Sequence, residues 1–291
     1  MNDLALHDEA VSFGCAGERL WGIVSRPDPR GPASDTSVVV LVGGPQYRAG
    51  SHRQFTLLAR RLAAAGFASL RFDCRGMGDS SGAMQTFEEA GPDLHAAIDA
   101  LRAECPATKR VVVWGLCDAA SVAMMHATGP AQVAGIVAAN PWARSAASLA
   151  AAQVKHYYVA RLMQREFWAK LLRGGLDWRR ALGGFVGNVK QSRALAQQGS
   201  GEAASFHTRM ARGLSAFRGR VLLILSGNDL TASEFLQYTA AAPAWAGVLD
   251  KPSISRVDIA AADHTFSCRA WRGEVEDATI AWLQALDAAQ R

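Results

Sequence analysis

Apolar residues in this chain fall into two kinds of spacing. Some form short, nearly unbroken runs: Val38-Val39-Val40-Leu41-Val42, Ala68 to Phe72, Val111 to Val113 with Trp114, Val133 to Ala139, Val221 to Leu225, and Arg256 to Ile259. Runs of this kind mark strands buried on both faces. Others recur at helical spacing: Phe55, Leu58, Ala59 and Leu62, then Leu94, Ile98 and Leu101, and finally a closing helix over Gly273 to Ala289. From residue 38 to 140 the two kinds alternate, which predicts a parallel sheet with right-handed crossovers. Val11 to Ser25 flanks the turn-prone Gly14-Cys15-Ala16-Gly17 and predicts a hairpin, followed by a loop over Arg26 to Ser37. Ser51-x-x-Gln54 predicts a capping box ahead of the first helix, and Gly66 predicts its end.

Between Pro141 and Phe217 the strand signal stops. Trp142, Tyr157, Tyr158, Phe167, Trp168, Trp178 and Phe185 sit there among helix formers. The prediction is an α/β core over residues 1–140 and 216–291, with a helical cap insertion over 141–215 placed above the carboxyl edge of the sheet. Gly199-Ser200-Gly201 reads as a joint within it, and no internal repeat is visible. The insertion holds twelve lysines and arginines against three acids, a net +9, leaving −4 for the rest of a chain whose total is +5. A solvated helical face explains this simply. The sharper expectation is a basic cap that draws in an anionic substrate or meets a membrane surface.

The bulk numbers narrow the class. With 291 residues, 49% hydrophobic and 20% charged, the chain has an ordinary globular composition and can bury a large core. No run of apolar residues is long enough to predict a transmembrane helix, and the acidic start MNDLALHDEAVSF does not read as a secretory signal. Five cysteines, odd in number and widely spaced, fit neither a disulfide framework nor a zinc site, so a cytoplasmic location is expected. Neither G-x-G-x-x-G nor a P-loop is present, and no nucleic-acid partner is expected.

The chemistry concentrates at Arg110 to His126, RVVVWGLCDAASVAMMH. A strand runs into Gly115-Leu116-Cys117-Asp118-Ala119, and an Ala-rich helix follows at once. Such a turn exposes its apical residue above the sheet in a strained conformation and needs small neighbours two residues away on either side. Gly115 and Ala119 meet that need, which makes Cys117 a candidate nucleophile. A buried, inert thiol is the plain alternative. A nucleophile needs a base, and the base needs an orienting carboxylate. Asp229 lies just past the Val221–Leu225 strand and His264 just past the Arg256–Ile259 strand, in the chain order nucleophile, acid, histidine.

These features together resemble the α/β-hydrolase superfamily over nearly the whole chain. Asp73-x-Arg75-Gly76-x-Gly78-x-Ser80 is similar to the turn those enzymes carry after their fourth strand, and Asp263-His264 to their histidine loop. More narrowly, Gly43-Gly44-Pro45-Gln46-Tyr47-Arg48-x-Gly50-Ser51-His52-Arg53-Gln54-Phe55 with Gly115-Leu116-Cys117-Asp118-Ala119-Ala120 resembles the exosortase A system-associated hydrolases (hydrolase 1 group). Those are bacterial proteins found beside exopolysaccharide and protein-sorting genes. The Cys–His–Asp set also resembles that of dienelactone hydrolases. Two positions depart from the pattern: Val42 stands where many relatives have His, and Ala119 replaces the second elbow Gly.

The expected fold is therefore an α/β-hydrolase fold, a mostly parallel sheet flanked by helices. The expected reaction is hydrolysis or acyl transfer at an ester, thioester or lactone carbonyl, through Cys117, His264 and Asp229. The backbone amide of Asp118 is one expected oxyanion donor. Because Pro45 has no N–H, Gly44, or failing that Gln46, is the other. Arg48, His52 and Arg53 are surface or packing residues or, with Gln46, substrate-binding ones that clamp an anionic group. Arg75 and Asp79 are expected to hold the glycine-rich turn. No metal or organic cofactor is implied, and the partner is a small acyl molecule. A non-catalytic binding module and a thiol redox sensor at Cys117 are the other two classes.

Overall fold

The computed structural model of the protein describes residues 7–44, 46–128, 133–144 and 205–289. The chain opens with a hairpin, β1 (His7–Cys15) and β2 (Glu18–Arg26). It turns on Ala16 and Gly17, both at positive φ (52° and 84°). The expected four-residue turn is thus a two-residue one, with Cys15 opposite Glu18. Positive φ at both central residues matches the turn twist to that of the strands.

Strand β3 (Thr36–Leu41), helix α1 (Gln54–Ala64), β4 (Ser69–Phe72), α2 (Gly91–Glu104), β5 (Arg110–Leu116), α3 (Asp118–His126) and β6 (Val133–Ala139) follow in the predicted alternation. Then come α4 (Phe206–Ala216), β7 (Arg220–Ser226), α5 (Leu230–Ala241), β8 (Ile254–Ile259) and α6 (Arg269–Ala288). Eight strands form one sheet in the order β1-β2-β4-β3-β5-β6-β7-β8. β1, β2 and β4 pair antiparallel, and every neighbouring pair from β4 to β8 is parallel. Burial on both faces explains the apolar runs of β3 to β7, whereas β8, at the sheet edge, leaves Arg256 and Asp258 exposed. Val39, Leu41, Val111 and Val113 point to one core with residues of α2, α3 and α4. Val38, Val40, Val112, Trp114 and Leu116 point to the other, with α1 and α6.

Two local expectations are corrected. Ser51-x-x-Gln54 forms no capping box: Ser51–Arg53 is a short 3-10 turn and Arg53, at φ 58°, caps α1 without a side-chain bond. The amides of Phe55 and Thr56 instead reach back to the Ala49 carbonyl. A capping box does form where none was expected, with Thr86 and Glu89 ahead of α2. Helix α5 was not anticipated, because its sequence, LTASEFLQYTAA, carries only a weak apolar stripe. Gly66 ends the turn after α1 as expected, at φ 94°.

Most of the expected helical insertion, including Gly199-Ser200-Gly201 and the basic residues from 155 to 193, lies outside the described residues. Of its C-terminal part, α4 packs against α3 within the core. Among the described residues no helix is long and apolar enough to cross a membrane.

Candidate active site

The parallel strands deliver their carboxyl ends to one edge, and the candidate residues collect there. β5 ends at Leu116 and α3 begins at Asp118, so Cys117 alone makes the turn between them. Its backbone is held at φ 64°, ψ −125°, a conformation that L-residues rarely adopt. The Cys117 amide donates to the Ala139 carbonyl at 2.9 Å, and its carbonyl accepts from the amides of Ala120, Ser121 and Trp142. Strand and helix come so close that a Cβ on Gly115 would lie 2.6 Å from the Ala119 carbonyl carbon and 2.7 Å from the Ala120 nitrogen. Ala119, the departure from the usual elbow, is 1% exposed and its methyl group joins the α2–α3 core.

Asp229 follows β7 and caps α5. Its Oδ1 accepts from the Thr231 amide and its Oδ2 from the Ala232 amide, each at 3.1 Å. Oδ2 also accepts from His264 Nδ1 at 2.9 Å. Burial alone would raise the Asp229 carboxyl, but the bond from His264 and the cap amides outweigh it and hold the group below its ordinary range. Cys117 lies close enough to His264 to act on the imidazole, and with Nδ1 taken by Asp229, Nε2 is the nitrogen left for the sulfur. The bond to Asp229 and then the neighbouring Cys117 raise the imidazole from 6.5 to about 10, despite burial that works the other way. The structure thus brings Cys117, His264 and Asp229 together, with Asp229 bonded to the ring and Cys117 beside it.

The histidine loop is fixed from below. Asp263 accepts from the amides of Thr265 and Ser267 and from the Ser267 hydroxyl. Asn140, fully buried with φ 41°, sits at the end of β6. Its Nδ2 donates to the His264 carbonyl at 3.0 Å and to Ser226 Oγ at 2.8 Å, and its Oδ1 accepts the Ser226 amide. Ser226 Oγ in turn donates to the Asp263 carbonyl. Sequence reading passed over Asn140 and Ser226. The one signal was an Asn, tolerant of positive φ, between a strand and a proline.

The expected oxyanion donors do converge, but on an occupant. The Gly44 amide donates to Asp118 Oδ2 at 2.8 Å and the Ala119 amide to Asp118 Oδ1 at 2.9 Å. The Asp118 carboxylate also lies against its own backbone N–H. Gly43 passes so close that a Cβ there would lie 1.9 Å from Asp118 Oδ1. Burial pushes the Asp118 carboxyl up, while the three amides oppose that rise. The Gln46 amide is turned away, donating to the Gly44 carbonyl at 2.8 Å, and Gln46 Oε1 is buried without a partner. Beside Asp118 lies a cavity of about 140 Å³ between Gly43, Gly44, Met84, Phe87 and Val122.

Of the roles open to Arg48, the structure shows the packing one. Its guanidinium pairs with the fully buried Asp73 and, at 2.8 Å, with Asp79, and its amide donates to Asp73 Oδ1. Both carboxylates belong to the glycine-rich turn, so Arg48 locks that turn to the loop after β3 and has no charge to spare for a ligand. Asp79 serves the turn as expected. Arg75 instead ties it to α2 through Asp93, at 2.7 Å. His52 and Arg53 are exposed, both in the left-handed region (φ 54° and 58°), and His52 is close enough to lower the Asp263 carboxyl electrostatically. Among the described residues, no group of three or more His, Cys, Asp or Glu side chains is arranged to hold a metal ion.

Comparison with known proteins agrees with this architecture. Residues 38–278 match the model of the alpha/beta hydrolase family. No curated protein matches the sequence. Among solved structures, the chain is similar to the Pyrococcus furiosus esterase Pf2001, at 18% identity over 98% of this chain and 93% of that one, with a TM-score of 0.64. It is similar to Est1E from Butyrivibrio proteoclasticus, solved with ferulic acid bound, at 13% identity over 96% and 100% (TM-score 0.62). It is also similar to XC6422 from Xanthomonas campestris, described as an a/b serine hydrolase without lid, at 15% identity over 95% of each chain (TM-score 0.56). At such identities the likeness is one of fold.

Proposed function

Since the chain belongs to the alpha/beta hydrolase family, we propose that it is an esterase-type acyl hydrolase whose nucleophile is Cys117. The observation that carries this reading is the line Asp229–His264–Cys117, with the sulfur at the apex of a strained turn. In the proposed reaction the Cys117 sulfur, its proton passed to His264, attacks the acyl carbonyl. Asp229 holds the ring by Nδ1 and stabilises the imidazolium. The amides of Gly44 and Asp118 hold the tetrahedral oxyanion. His264 then protonates the leaving group, an acyl thioester remains on Cys117, and water activated by His264 releases the acid. Acyl transfer differs only in the final acceptor.

A thiolate leaves more readily than an alkoxide, so the tetrahedral intermediate collapses back unless the substrate's own leaving group is good. This favours thioesters, lactones and activated esters over amides. All five cysteines are free thiols, which suits a reducing compartment such as the cytoplasm. The two sequence motifs that resemble exosortase-associated hydrolases support a link to bacterial exopolysaccharide or protein-sorting systems and name no substrate. The basic segment from 141 to 215 is proposed to steer an anionic acyl substrate.

The test combines labelling with a screen. Brief iodoacetamide treatment at neutral pH, mapped by mass spectrometry, is expected to label Cys117 first. Burial raises Cys15 to about 11 and pushes Cys74 and Cys105 upward too. A panel of acyl thioesters, lactones and nitrophenyl esters is expected to contain substrates that wild type cleaves and Cys117→Ala does not. A reactive Cys117 with no turnover on any member would favour a redox sensor. An unreactive Cys117 would favour a binding module.

A further inference from the structure

The donors that the proposed reaction needs for its oxyanion are not waiting empty. Gly44 N–H and Ala119 N–H both end on one group, the Asp118 carboxylate, which also lies against its own backbone N–H. A carboxylate held by these amides imitates, in charge and in its acceptor oxygens, the oxyanion of a tetrahedral intermediate. We infer that the Asp118 side chain is a built-in latch that fills the oxyanion hole of the resting protein and must swing out before an acyl carbonyl can enter. This inference rests on the proposed function and names how that site is regulated.

Three features support a latch rather than a fixed strut. The carboxylate belongs to the residue next to Cys117, so rotation about its own side-chain bonds moves it without disturbing the elbow. It borders the cavity between Gly43, Met84 and Phe87, which has room to receive it. Among the described residues its bonds are all to backbone amides, with no arginine or lysine pinning it, and the groups that act on it electrostatically are His264 and Cys74. Burial raises its carboxyl, so the held anion is under opposing pressures. Gly43 completes the fit, because a Cβ at that position would occupy the space of Asp118 Oδ1.

The consequence is a selectivity. A poorly bound or small acyl compound cannot displace an anion from these donors, while a substrate held elsewhere by its acyl chain can. Removing the side chain is then expected to help weak substrates. Single oxyanion donors act on rates by about 10²–10³-fold, so freeing the hole is expected to raise kcat/KM for p-nitrophenyl acetate by at least about 10-fold in Asp118→Ala. Asp118→Asn keeps an acceptor of the same size without the charge and is expected to fall between that variant and wild type. It also serves as the test should Asp118→Ala not fold.

A second readout needs no turnover. Butyraldehyde adds to a thiol: the Cys117 sulfur bonds to the carbonyl carbon, and the thiol proton passes to the new oxygen or leaves it as an alkoxide in the hole. The hemithioacetal shields Cys117 from iodoacetamide. Half-protection is expected at an aldehyde concentration at least about 10-fold lower in Asp118→Ala than in wild type. Equal protection in the two proteins, or a lower kcat/KM in both variants with Cys117 alkylation unchanged, would overturn the latch while leaving Cys117 as nucleophile. Failure of Cys117 to alkylate in any of the proteins would overturn the proposed function itself, and the latch with it.

Discussion

Asp229 carries two structural tasks at once, and substitution can separate them. Its Oδ1 and Oδ2 cap α5 through Thr231 and Ala232, and Oδ2 also holds His264. Asp229→Ala removes the cap, which costs about 0.5–2 kcal/mol. The abandoned His264 ring is about a third exposed, so water replaces its lost partner at little further cost. Asp229→Asn can keep its one oxygen at the Oδ2 position, facing His264 and Ala232, and sacrifice the bond to Thr231. Near pH 10, where the charge on His264 no longer contributes, its stability loss is therefore expected below that of Asp229→Ala, about 0.5–1 kcal/mol for one cap bond.

The proton affinity of His264 behaves differently, because it depends on charge. Its raised value, about 10, follows first from Asp229 and then from Cys117. A group whose folded pKa is raised stabilises the fold fully below its unfolded pKa, about 6.5. That stabilisation is lost as pH climbs through the folded value. The stability gap between wild type and Asp229→Asn is thus expected to be widest near pH 6 and to shrink toward pH 10. Asp229 itself stays ionised across that window and does not bend the curve. Urea unfolding at several pH values measures the gap, and imidazole NMR titration follows the ring directly, with Asp229→Asn moving down toward 6.5. Loss of an orienting acid elsewhere costs about 10⁴ in kcat, and a fall of about 10³–10⁴ is expected here in both variants. An unchanged ring titration in Asp229→Asn, or a stability gap that grows toward pH 10, would refute the assignment of Asp229 as the partner that charges His264.

Gly115→Ala would place a methyl 2.6 Å from backbone atoms of Ala119 that no side-chain motion can clear. The expected result is about 1–3 kcal/mol of destabilisation in urea and a slowed Cys117 alkylation, whereas a neutral outcome would mean the elbow is looser than described. Asn140→Ala deprives the Ser226 amide and the His264 carbonyl of their buried partner, at about 1–3 kcal/mol. Because Asn140 supports the histidine loop rather than the substrate, kcat is expected to fall with KM nearly unchanged, and a change confined to KM would argue against that role.

The inner strands were legible in the sequence because strands buried on both faces leave nearly unbroken apolar runs; edge strand β8, with Arg256 and Asp258 exposed, had only Val257 and Ile259 to mark it. The elbow and the two partner positions were legible because each sits a few residues beyond a strand end. What could not be read was side-chain direction. Whether Arg48 packs or clamps an anion could not be decided from sequence, because the pairing that buries it lies twenty-five residues on, at Asp73. The expected capping box at Ser51 failed because His52 and Arg53 turn left-handed, a choice made by the packing of the loop and not by the local motif. Asp118 was read as a backbone donor alone. That its carboxylate folds back onto the amides of Gly44 and Ala119 depends on a close approach of two loops seventy-four residues apart.

The central claim is that Cys117 forms an acyl-enzyme. It is tested most directly by rapid acid quenching of the protein mixed with an activated acyl ester or thioester, followed by mass mapping of the acylated residue. The account predicts an acyl thioester on Cys117 that forms before steady turnover and lengthens in lifetime when His264 is replaced by Ala, with no acyl adduct in Cys117→Ala. Turnover that persists in Cys117→Ala, or an acyl group found only on another residue, would contradict it.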